Sequence, residues 1–198
     1  MNIFKRTRIH LLCRLYGIKD YVIDGDAVDV YGDVNFFQSS KKLTKFPFKF
    51  GKVTGDFLCM DNKLTSLKNG PTHARSFYCS NNNLTSLEGC PKYISGVFSI
   101  GSNRIESFES FPDYISGGIY FGTVEDFDKT PIYQVWKLFK DKDKIELFND
   151  YDIIRPGKVI ILDRLNDFLK EIDKLPQRVF NNNKIKVEIK SVKGYKCI

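Results

Sequence analysis

The stretches GDFLCMDNKLTSLKNGP (55–71), RSFYCSNNNLTSLEGCP (75–91) and GVFSIGSNRIESFESFP (96–112) are three copies of one phrase. Aligned, Cys59, Cys79 and Ile100 coincide, as do Asn62, Asn82 and Asn103. The same holds for Leu64, Leu84 and Ile105, for Leu67, Leu87 and Phe108, and for Pro71, Pro91 and Pro112. A period of about 20–21 residues is the length of one coil in a repeat array. Before each asparagine the chain alternates: Phe57/Cys59, Phe77/Cys79, Phe98/Ile100 and Ile119/Phe121. That is the signature of a short strand with one buried face, so stacked copies form a parallel sheet with strands about 4.8 Å apart. The asparagine turns the chain off the strand, and its amide suits backbone groups of neighbouring coils that would otherwise be buried unpaired. Val53, Ala74, Ile94 and Ile115 then lead an extended return back into the core.

Outward from these copies the pattern decays, as terminal repeats do when they cap an open core. GDVNF at Gly32 begins like a copy, with Leu43 and Phe46 matching Leu64 and Leu67, but Lys41 stands at the asparagine position. GGIYF at Gly117 supplies another strand, and Val124 stands where an asparagine is due. About five strands are expected, two of them degenerate. The fold class is an α/β repeat: a short leucine-rich-repeat-like solenoid, with a period in the range of that repeat. Residues 1–31 form an N-terminal cap, with a helix over 6–16 ended by Gly17 and a hairpin around Asp24-Gly25-Asp26. Residues 32–130 are the solenoid. Residues 131–198 form a helical cap, with helices at 132–140, 144–149 and 162–172. The first of these turns Ile132, Val135, Trp136 and Phe139 to one face. Ile185, Val187 and Ile189 point inward on a terminal hairpin that turns near Lys193-Gly194.

The 198 residues are 42% hydrophobic and 28% charged, which is a folded-domain composition with a sizeable core. No apolar run is long enough for a membrane span, and the amphipathic start MNIFKRTRIHLLCRLYG is not expected to be a secretory leader. Membrane partners are therefore not expected, and the cytoplasm is the expected compartment. The five cysteines fit no metal or disulfide spacing, and Cys59 and Cys79 sit at an inward position as small hydrophobes. Asp24, Asp26, Asp29 and Asp33 lack the glycine and glutamate of a calcium loop, so no metal and no cofactor is expected. The two histidines, His10 and His73, have no neighbouring nucleophile or acid, and no phosphate-loop, nucleophile-elbow or zinc-protease motif occurs. Catalysis is not expected.

The candidate site is the outward row of the repeat strands: Asn35, Leu58, Tyr78, Ser99 and Tyr120, with Asp56 on one side and Phe37, Met60 and Ser80 on the other. It is apolar and aromatic for an outward face, and tyrosines serve interfaces through area, rigidity and one polar handle. The net charge of +7 is concentrated at the two ends of the chain. Lys5, Arg6, Arg8, Arg14 and Lys19 meet no acid, and Lys184, Lys186, Lys190, Lys193 and Lys196 meet only Glu188, so the repeats between are near neutral. Arg6, Arg8, Arg14, Lys184, Lys186, Lys190 and Lys196 are accordingly candidates for nucleic-acid contact, the alternative reading.

From Gly32 to about Arg155 the chain resembles leucine-rich-repeat-like proteins encoded by tailed bacteriophages. The phrases that carry the likeness are LTKFPFKFGKVTGDF, NNNLTSLEGCPKYISG and the closing TPIYQVWKLFKDKDKIELFNDYDIIR. The resemblance implies a solenoid fold and a host-cytoplasm setting. With that setting, the expected function is a non-enzymatic interaction module that binds and inhibits or redirects a host protein, including as an anti-defence factor.

Overall fold

The computed structural model describes residues 2–37, 42–121, 130–174, 177–180, 183–186 and 188–198, with backbone alone for 177–180 and 183–186. Lys41, Val124 and Val187 lie outside the described residues, as do the side chains of Lys184, Ile185 and Lys186. The chain divides into two units.

The first unit is a parallel-sheet β-solenoid of about four turns, preceded by a helix. Helix α1 (Ile3–Leu15) starts where the Phe4 N–H donates to Asn2 Oδ1 at 2.7 Å, and it stops before Gly17, whose φ of +66° favours glycine. Strands β1 (Tyr21–Asp24) and β2 (Ala27–Val30) form the expected hairpin. Strand β3 (Val34–Asn35) follows, and then each coil contributes two short strands. These are β4 (Lys49–Val53) and β5 (Phe57–Leu58), β6 (His73–Ala74) and β7 (Phe77–Tyr78). The later coils add β8 (Tyr93–Ile94) and β9 (Phe98–Ser99), then β10 (Tyr114–Ile115) and β11 (Ile119–Tyr120).

The structure departs from the sequence reading in having two sheets. One runs β11-β9-β7-β5-β3, the expected array. The other runs β1-β2-β4-β6-β8-β10, so the returns are themselves paired strands, and β2 of the hairpin starts their sheet. Glycine permits the corner between the sheets: a Cβ on Gly117 would sit 2.5 Å from the Gly96 carbonyl.

Between the sheets lies the core. Phe57, Phe77 and Phe98 pair in register and are fully buried, with Phe57 stacked on Phe77 at 5.5 Å. Leu64 and Leu84 are also fully buried. The buried asparagines tie the coils together. Asn82 Oδ1 accepts the Leu64 N–H at 3.0 Å, and its Nδ2 donates to Cys59 O at 3.0 Å and Cys79 O at 3.1 Å. Asn62 takes the Leu43 N–H and Asn103 the Leu84 N–H, so each amide serves its own coil and the one before. In the last coil Thr130, fully buried, replaces the missing asparagine: its hydroxyl donates to Phe121 O and accepts the Asn103 N–H, both at 3.4 Å.

The second unit contains Glu106–Phe108 and everything from Pro131 onward. Helices α2 (Pro131–Phe139), α3 (Ile145–Asp150) and α4 (Leu162–Glu171) match the three expected. Their core is a ring cluster in which Phe139 lies 5.4 Å from Phe148 and 5.3 Å from Phe168. Gln134, rather than Trp136, is buried on α2. The terminal hairpin differs from expectation. Here β12 (Ile154–Arg155), β13 (Val159–Ile160) and β16 (Lys196–Cys197) make one sheet, while the hairpin is β14 (Gln177–Phe180) with β15 (Asn183–Lys186). The turn at Lys193-Gly194 delivers β16 parallel to β13 instead of folding it back. Asn166 secures that segment by exchanging two hydrogen bonds with the Ile189 backbone, at 2.6 and 2.9 Å.

Asn82→Ala removes buried hydrogen bonds to two coils and is expected to destabilise the fold by about 3 kcal/mol, whereas the exposed Thr85→Ala changes it by less than about 0.5 kcal/mol; urea denaturation reads both. Burial pushes the Cys13 thiol up from 9.0 to about 11, and those of Cys59 and Cys90 well above their usual value. Unfolded thiols lose their protons first, so stability falls as pH rises above 9. Cys59→Val should lessen the drop in urea midpoint between mildly and strongly alkaline buffer.

Candidate functional site

The outward face of the five-stranded sheet is built by register. Parallel pairing places Asn35, Leu58, Tyr78, Ser99 and Tyr120 side by side in one row. Alternation along each strand puts Met60 and Ser80 on the same face one step further on. A groove of about 930 Å³ opens here, lined by Met60, Tyr78, Ser80, Ser99 and Tyr120 among the expected residues. Ser99 sits between the two tyrosines and leaves a low floor, with its Oγ 2.7 Å from Ser80 Oγ.

The other four expected residues lie outside the groove. Asp56 is committed to the corner: Arg75 Nε donates to its Oδ1 at 2.8 Å, and its own N–H donates to Asp33 Oδ1 at 2.8 Å. The Arg75 guanidinium holds the Asp56 carboxyl below its usual range. At the next corner Ser76 Oγ accepts the Val97 N–H at 3.2 Å, and Ser76 is buried. Asn35 turns back to accept the Phe37 N–H at 2.9 Å; Phe37 is exposed and Leu58 half-buried.

The turn contributes a row that sequence reasoning passed over: Asp61, Asn81 and Ser102, with Asn83 and Arg104 beyond. The first three have φ of +54°, +56° and +52°, directly before each ladder asparagine, and Asn81 Nδ2 donates to Asp61. The readable signal was a short polar residue in each copy at a position that favours left-handed backbone. Asp61 and Arg104 are the charged lining residues, so the groove offers phenol, amide and hydroxyl hydrogen bonding with ring faces above a neutral floor.

Neither histidine lines the groove. His10 Nδ1 is 2.7 Å from Tyr21 Oη on the N-terminal cap. His73 lies on the six-stranded sheet in a ladder with Tyr93 at 5.7 Å, which stacks on Tyr114 at 4.4 Å. Among the described residues no group of three or more histidines, cysteines or acids could hold a metal ion. Nor is any described helix long and apolar enough to cross a membrane. Of the basic candidates, Arg6, Arg8 and Arg14 are exposed on α1, and Lys190 and Lys196 are exposed in the second unit. The chain matches no protein-family model, no curated protein and no solved structure.

Proposed function

We propose that the chain is a leucine-rich-repeat-like binding module without catalytic activity, which docks a partner protein through the groove on its five-stranded sheet. The observation that carries this reading is the pairing of Tyr78 and Tyr120 across the Ser99 floor, with Met60 beside them. Adjacent strands are about 4.8 Å apart, so the two tyrosines are rooted about twice that distance from each other. A side chain inserted between them meets a ring on either side at ordinary aromatic spacing. The 20–21-residue period supports the repeat type. The resemblance to phage-encoded repeat proteins supports a partner in the host cytoplasm, with occlusion of its surface as the mode of inhibition or anti-defence.

The test is affinity purification from host cells, followed by titration of the captured protein with purified variants. Tyr78→Asp with Tyr120→Asp charges both walls while leaving the core rows intact, and affinity should fall by about a hundredfold or more. Unchanged affinity in the folded double variant overturns the groove as the docking surface.

A further inference from the structure

The clearest unsatisfied surface outside the groove is the far side of α1. Ile9 and Cys13 are buried against the body of the unit, and Leu12 and Tyr16 are half-buried beside them. His10 and Tyr16 hold the helix there, through the Tyr21 hydroxyl and an edge contact with Phe36 at 5.0 Å. The opposite side is also apolar. Phe4, Leu11 and Leu15 are 80%, 63% and 73% exposed. At 3.6 residues per turn they fall within about 40° of one another. A helix that is apolar on two faces calls for two partners, and the body supplies one.

Charge indicates the other. Arg8 and Arg14 flank the ridge on its two sides, both exposed and without an ion pair among the described residues. Arg6 and Lys19 add to them, while Lys5 lies near enough to Asp26 of the hairpin to help hold its carboxyl down, and no acid occurs through residue 19. Two copies facing each other would oppose these charges, which disfavours a dimer through the ridge. A phosphate backbone would take the arginines and leave the ridge wet. An apolar ridge flanked by long basic side chains matches the interfacial layer of an anionic bilayer, where the ridge enters the acyl boundary and the arginines reach the headgroups.

We propose that α1 is a peripheral anchor for anionic membrane surfaces, seated through Phe4, Leu11 and Leu15 and held by Arg8 and Arg14. No described helix is long and apolar enough to span a membrane, and this contact needs no span.

Flotation of the full chain tests the proposal, using vesicles of phosphatidylcholine alone and of phosphatidylcholine with phosphatidylserine. The protein should float with the second kind only, and less at high salt. Leu11→Ser with Leu15→Ser should lower the partition about 30-fold or more, and Arg8→Glu with Arg14→Glu should abolish it, each with an unchanged circular dichroism spectrum. Phe4→Ser, at the first turn, is the substitute if the leucine pair disturbs folding. Failure to float with anionic vesicles overturns the proposal, as does flotation indifferent to the leucine changes. So does a dimer, in the absence of lipid, that the leucine changes dissolve. Tighter binding of a duplex oligonucleotide that the leucine changes leave intact would also overturn it, by assigning the arginines to nucleic acid.

Discussion

Short strands make a poor scaffold unless something else satisfies the backbone between them. Each coil here contributes strands of only two residues over much of its length, so most of its backbone polar groups lie in turns above an apolar core. The asparagine amides solve this. One oxygen takes an N–H from the coil before, and one nitrogen reaches carbonyls of both coils. An apolar side chain there would leave buried carbonyls and amides unpaired, each costing about 1–3 kcal/mol. Asn62, Asn82 and Asn103 are therefore buried without being core residues in the usual sense; they set how one coil registers on the next.

That register determines the surface as much as the interior. Holding Phe57, Phe77 and Phe98 in one inward row necessarily holds Leu58, Tyr78 and Ser99 in one outward row. The groove forms where Tyr78, Ser99 and Tyr120 follow one another as large, small and large, and the turn row before the ladder asparagines adds to its lining. Asp56 sits in a neighbouring row but is tied to Arg75, so position in the repeat gives a side chain its direction and not its freedom.

The inward rows were legible because three copies agree on them and strand alternation extends through Phe57 to Cys59 and its equivalents. The return strands were not, since His73-Ala74 and Tyr93-Ile94 are too short for alternation to register. Thr130 was equally hidden: it lies nine residues after Phe121, whereas each asparagine follows its inward residue by three. The start of the chain reads simply as amphipathic, whereas on α1 Leu11 and Leu15 are exposed and only Ile9 and Cys13 are buried. The local sequence Leu-Leu-Cys-Arg-Leu carries both faces at once, and only the position of the body separates them. Trp136 does share the face of Phe139, its ring centroid 5.6 Å away, but it stays half-buried at the edge of the ring cluster, and the burial of Gln134 had no signal in the apolar pattern.

The ladder also has a direction. The side-chain amides of Asn62, Asn82 and Asn103 each reach back to the coil before, and among the described residues none reaches forward, so the two ends of the stack are chemically unlike. A coil inserted in the middle brings its own amide and meets a neighbour already shaped to receive it. A coil added after the last one would have to displace Thr130, whose hydroxyl closes that end. A coil duplicated inside such a stack would redraw the groove by one large or small residue while leaving the scaffold chemistry untouched.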